Sequence, residues 1–150
     1  MALEDDIRTL SRAPVLDALG RDALRLIAFS ADRQSLRDGQ TLFREGQRAD
    51  GGYVVMSGAI DLFRGKPGDG PSRRIGPGAL IGEMALLTDV KRPATAVAVG
   101  AAGVLRIARP LFLRLFDEYP ELAETLRQRL SERMAADMAD LKRIEAALRR

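Results

Sequence analysis

From about Gln34 to Ala108 the chain runs as short β-prone stretches cut by Gly, Pro and Asp, and helical periodicity is confined to the two sides of that block. The stretches are Thr41-Leu42-Phe43, Gly52 to Met56, Ala59 to Phe63, Arg73 to Ile75, Ala94 to Val99 and Val104 to Ile107. Many short strands with turn residues every few positions cannot make a helical bundle or a parallel α/β sheet. They point to an antiparallel sandwich or barrel. The pattern Ile60-Asp61-Leu62-Phe63 fits a strand with one face buried. Phe43, Tyr53 and Phe63 lie inside such apolar runs and are expected in the core. Gly39, Gly46, Gly58, Gly76, Gly78 and Gly103 fall between runs and read as turn positions.

On the N-terminal side, Leu3 to Leu10 and Asp22 to Phe29 carry apolar residues at helical spacing, with Pro14 and Gly20 separating them. On the C-terminal side, Pro110 opens a helix whose apolar face includes Leu111, Leu115 and Phe116, and Pro120 starts another. Leu122, Leu126, Leu130, Met134, Met138, Leu141, Ile144 and Leu148 then recur about 3.7 residues apart, the stripe of a long amphipathic helix. That stripe either packs on its own domain or meets a second copy as a homodimer seam.

Charge and composition narrow the function. The 150 residues hold neither Cys nor His, which removes the usual zinc and iron ligand sets, the thiolate nucleophile and the commonest general base. Catalysis is not expected. The net charge of +3 is spread among alternating acids and arginines, so a phosphate-tracking face for nucleic acid is not expected either. No apolar stretch reaches membrane-spanning length, and the first residues are acidic where a secretory signal would be basic. A soluble, cytoplasmic domain is expected.

The segment Ile81 to Ala98, IGEMALLTDVKRPATAVA, holds the candidate site. Gly82 permits a close turn, and Glu83-Met84-Ala85-Leu86-Leu87 can wind into one helical turn whose N–H groups face an anion. Arg92 follows nine residues after Glu83, at the head of a β-prone run, where its planar fork can grip a phosphate. A carboxylate beside it accepts hydrogen bonds from sugar hydroxyls. A plain Glu83–Arg92 surface ion pair is the alternative.

Gly82-Glu83, Ala85-Leu86-Leu87, Arg92 and Ala94-Thr95 resemble the phosphate-binding cassette of the cyclic nucleotide-binding domain family. Gly39 to Gly46, Tyr53 to Gly58 and Ile75 to Gly78 resemble the strands that lead to it. The resemblance implies a mainly β fold with flanking helices: a jelly-roll β-barrel over 33–108 with the cassette at 81–98, N-terminal helices over 1–30, and a hinge and lid over 110–150. It also implies that Glu83 holds the ribose hydroxyl, Arg92 the cyclic phosphate and the Ala85 N–H a phosphate oxygen, with Ile81, Gly82, Met84, Pro93 and Ala94 around the ligand. Within the family, the register is similar to that of a bacterial cyclic-nucleotide-gated potassium channel, which places the base-capping arginine at Arg133. A helix-surface Arg133 paired with Asp137 is the alternative.

Pro93 departs from the pattern. It has no N–H to give the phosphate, and it lacks the hydroxyl that serves guanine in members selective for cyclic GMP. The implied ligand is therefore cyclic AMP, with cyclic GMP as the alternative, bound without a cofactor and more weakly for one missing bond. An unidentified protein effector is the implied partner. The competing expectation is an interaction module that kept the jelly roll and lost tight binding. A transcription regulator would need a helix-turn-helix, for which the 150 residues leave no room.

Overall fold

Two long antiparallel strands carry the architecture. The computed structural model describes residues 2–65 and 70–133. Helices α1 (Ala2–Leu10) and α2 (Arg21–Ser30), with a 3-10 turn at Leu16–Ala18 between them, precede β1 (Asp32–Leu36), β2 (Thr41–Phe43) and β3 (Arg48–Ala49). Then come β4 (Gly51–Phe63), β5 (Arg73–Ile75), β6 (Leu80–Ile81), a 3-10 turn at Met84–Leu86, β7 (Val90–Lys91) and β8 (Thr95–Ala108). Helices α3 (Arg109–Glu118) and α4 (Leu122–Arg133) follow. The main sheet has six strands in the order β1-β8-β4-β5, with β2 also on β8 and β6 also on β4, while β3 and β7 form a separate ribbon. Every pairing is antiparallel. The mainly β jelly-roll architecture with flanking helices is as expected, but the sheet stays open and does not close into a barrel.

Gly52–Met56 and Ala59–Phe63, expected as two strands, are one strand of 13 residues, and Ala94–Val99 with Val104–Ile107 form one of 14. Gly58 bends β4 without ending it. The β4–β8 register slips on both sides of Ser57, and Gly58 sits at φ +74°, where a Cβ would lie 2.4 Å from the Ala101 carbonyl oxygen. Only glycine fits such a bulge. Gly103, expected as a turn, pairs with Ser35 and Ser57 inside β8.

Both faces of the long strands are covered, so the alternation sorts side chains between two cores. Val54, Leu105 and Ile107 pack with Leu10, Leu16, Leu24 and Ile27 of the N-terminal segment and with Phe112 and Leu115 of α3. Tyr53, Val55, Ile60, Ala98 and Val104 face the interior of the roll with Phe43, Ile75 and Ile81. Phe63 is half-buried and belongs to neither cluster. On α3 the deepest residues are Phe112 and Leu115, and Phe116 meets Phe112 edge-on with ring centroids 5.7 Å apart. Leu126 of α4 is fully buried, and Arg129 lies 3.3 Å from Asp17. Thus α4 rests against α3 and the Leu16–Ala18 turn. The stripe from Met134 to Leu148, with its dimer reading and the Arg133–Asp137 pair, falls outside the described residues.

Candidate functional site

Short pairings bring the cassette together. β6 pairs with β4, setting Ile81 opposite Tyr53. Gly82 follows at φ +84° and turns the chain into the 3-10 segment Met84–Leu86, as the Gly-Glu pattern predicts. β7 pairs with β3, and the Arg92 N–H donates to the Gln47 carbonyl at 2.7 Å while the Arg92 carbonyl accepts from Gly46 at 2.9 Å. Between these elements and the β4–β5 hairpin lies a cleft of about 430 Å³. Ile81, Gly82, Glu83, Met84, Ala85, Arg92, Pro93 and Ala94 all line it.

Arg92 is the unusual residue. It is 5% exposed, and among the described residues it and Asp61 are the buried charged side chains. Its Nη2 donates to the Gly51 carbonyl at 2.8 Å, and its Cζ lies 4.4 Å from the Phe43 ring centroid and 5.4 Å from that of Tyr53. The rings themselves are 5.9 Å apart. Nη1 is buried with no hydrogen-bond partner, directly against Gly82, where a Cβ would come within 2.6 Å of it. Burial pushes the guanidinium below its ordinary pKa. Cation–π contact with desolvated rings is worth about 2 kcal/mol, and an unsatisfied charged donor costs at least about 1–3 kcal/mol, so the rings offset part of the cost and leave Nη1 wanting an acceptor.

The other expected residues divide. Glu83 stands at the N-terminal end of the 3-10 turn, half-buried on the cleft wall. The Ala85 N–H, expected to serve a phosphate, donates instead to the Gly82 carbonyl at 3.0 Å, because i to i+3 bonding closes the turn on itself. The Leu86 and Leu87 N–H groups are spent in the same way, and the Thr88 N–H donates to the Met84 carbonyl at 3.0 Å. Arg133 ends α4, its side chain outside the described residues, and no α4 residue among those described lines the cleft.

Some of the site escaped the sequence reading. The sequence marks Phe43 and Tyr53 as core but not as the flanks of Arg92, since contacts across strands leave no local pattern. Leu62 and Ile75 floor the cleft, with Arg64 and Arg73 at its edge. Extending the alternation Ile60, Leu62, Arg64 by one step would have found Arg64. Arg109 links the cassette to α3: its Nε donates to the Ala85 carbonyl at 2.9 Å and its Nη2 to the Ala49 carbonyl. Nearby, Arg106 bonds Asp50 at 2.6 Å and, by that hydrogen bond, holds its carboxyl below the usual range.

Comparison with known proteins identifies the family and the fold. The family described as Cyclic nucleotide-binding domain matches residues 33–119, more than half the chain. The Cyclic AMP receptor protein of Thermus thermophilus is 34% identical over 125 residues, covering 81% of this chain and 57% of its own. A cyclic nucleotide-gated potassium channel of Mesorhizobium japonicum is 28% identical over 127 residues, covering 85% of this chain and 34% of the channel. Lysophospholipase NTE1 of Yarrowia lipolytica is 30% identical over 133 residues, covering 75% of this chain and 9% of that protein. The chain thus spans less than two thirds of each of these relatives. Among solved structures, a cyclic nucleotide-binding-like protein of Brucella abortus is 43% identical with a TM-score of 0.68, covering 75% of this chain and 98% of that one. The N-terminal domain of a transcriptional regulator of Streptomyces coelicolor is 31% identical with a TM-score of 0.77, covering 88% and 92%.

Proposed function

Because the chain belongs to the cyclic nucleotide-binding domain family, we propose that its cleft is the sensor site of a regulatory module that binds a cyclic nucleotide and performs no catalysis. One observation carries this reading: the Nη1 of Arg92, buried and without a hydrogen-bond partner beside the Gly82 turn. A cyclic phosphate there gives the guanidinium the acceptor it lacks, and a charge-assisted bond in so dry a setting is strong. Glu83 takes the ribose hydroxyl across the same turn. The base lies along Leu62 and Ile75, and Arg133 covers it when the C-terminal helix closes. Pro93 offers neither an N–H nor a hydroxyl, which makes cyclic AMP the proposed ligand over cyclic GMP. The named relatives from Thermus, a cyclic AMP receptor, and from Mesorhizobium, a cyclic nucleotide-gated channel, support the ligand class.

Output passes through Arg109. Its two bonds tie the cassette turn and β3 to the first turn of α3, so a phosphate that shifts the turn pulls on that helix and alters what an effector protein meets. The absence of Cys suits a cytoplasmic setting. A second reading, an interaction module without tight binding, is favoured by the two phosphate donors this cassette withholds: Pro93 has no N–H and the Ala85 N–H is spent. Calorimetric titration with cyclic AMP and cyclic GMP separates the two. Saturable heat that disappears in Arg92→Ala is expected, and no heat at millimolar nucleotide would leave the interaction module.

A further inference from the structure

Beyond Arg92 the floor of the cleft is the β4–β5 hairpin, where Ile60 stands opposite Ile75 and Leu62 opposite Arg73. Side chains alternate along a strand, so Ile60, Leu62, Arg64, Arg73 and Ile75 share one face. That face is the cleft face. On the opposite face Arg74 has its carboxylate, with Nε and Nη2 donating to Asp61 at 2.7 and 3.1 Å. Arg64 and Arg73 have no such partner among the described residues. Leu62 pairs with Arg73 at the end of the ladder and Arg64 follows two residues on, so the two long cations stand near enough to repel or to share an anion. Around the cleft, Arg64, Arg73, Lys91 and Arg92 face a single lining carboxylate, Glu83.

A cyclic mononucleotide carries one negative charge, and Arg92 takes it. The other two guanidiniums then stand at the far end of an apolar strip with nothing to bind. We infer that the cleft also accommodates a nucleotide with a second phosphate, held by Arg64 and Arg73 at the outer end while the first sits on Arg92. This inference rests on the proposed nucleotide site and deepens it from one anionic group to two. A cyclic dinucleotide and a nucleoside bisphosphate share the required chemistry, and the exposed rim at Arg64 and Arg73 leaves room for either.

The test is calorimetric titration of the intact chain, at one physiological ionic strength, with cyclic AMP, cyclic GMP, cyclic di-GMP and adenosine 3′,5′-bisphosphate. The two last distinguish the sources of the second phosphate. At least one of them is expected to bind about tenfold more tightly than cyclic AMP. That advantage should vanish in the exposed double variant Arg64→Gln/Arg73→Gln, whose cyclic AMP affinity should move less than about threefold. The inference is overturned if neither two-phosphate ligand exceeds cyclic AMP, if the advantage survives the double variant, or if cyclic GMP shows the same advantage and loses it in that variant. Cyclic AMP bound through Arg92 without any such advantage defeats this inference alone. No binding of any of the four defeats it together with the underlying site.

Discussion

Replacing Arg92 by Met should separate stability from binding. The side chain that leaves takes with it one bond to Gly51 and two ring contacts, but also a buried donor with no partner. An apolar chain of similar length between Phe43 and Tyr53 should leave the thermal midpoint unchanged or higher. Nucleotide affinity should fall about tenfold to a hundredfold or more, from the loss of a charge-assisted bond. A loss of both together would mean that the guanidinium is structural. Gly82→Ala should act in the opposite sense, because its φ of +84° strains any L side chain and the new Cβ would displace Nη1. A loss of about 1–3 kcal/mol by urea titration is expected, with binding weakened as well. Pro93→Ala restores a backbone donor and should raise affinity several-fold in the same calorimetric assay. Single residues were the most legible scale in the sequence. Gly82, Glu83 and Arg92 stand in a compact motif, and the structure puts all three around one cleft. The flanking rings were not legible, because Phe43 and Tyr53 reach Arg92 only once β2, β4 and β7 are assembled.

At the scale of elements, Arg109 is the joint between cassette and helix. Arg109→Gln shortens the reach to Ala85 and Ala49 and should cost about 1–3 kcal/mol of stability. Its more telling effect is on transmission: ligand-induced change in amide exchange over α3 should shrink while affinity moves little. Equal change in α3 in both proteins would show that coupling runs elsewhere. Arg133→Ala bears on α4, where loss of a base cap should weaken binding by about 1 kcal/mol and leave the phosphate contacts intact. The strand boundaries show where sequence reading ran out. Gly58 looks like a turn because a bulge and a turn ask the same thing of one residue, a positive φ. β1, with the polar sequence Asp32-Arg33-Gln34-Ser35-Leu36, lies at the sheet edge with little buried, and so it shows little alternation. The 2-residue strands β3, β6 and β7 are too short to carry a period at all, yet two of them hold the cassette in place.

Across the whole molecule, arginine–carboxylate bonds set the acid limit. Hydrogen bonds from Arg106, Arg74 and Arg48 hold the carboxyls of Asp50, Asp61 and Asp89 below the usual range. Their folded pKa values are depressed, so their contribution is complete above the unfolded value of about 3.9 and is lost as pH falls through the folded values. The urea midpoint should therefore stay level from neutral pH to about 5 and drop only below about 4. With no His in the chain, no side chain has an unperturbed pKa between about 5 and 8, and a step near pH 6 would be unexplained. The general architecture was legible at this scale because the change of period at both ends of the β block is gross. The open sheet was not, since closure depends on pairings between distant strands. One contact also has an optical consequence. The chain has no Trp and only two Tyr, and Tyr53 lies beside the guanidinium that faces the cleft while Tyr119 caps the end of α3. Tyrosine emission thus comes from one ring beside the proposed anion site and one at the far end of α3. A Tyr119→Phe chain would be a single-fluorophore sensor of occupancy, reporting a ligand at Arg92 without any label.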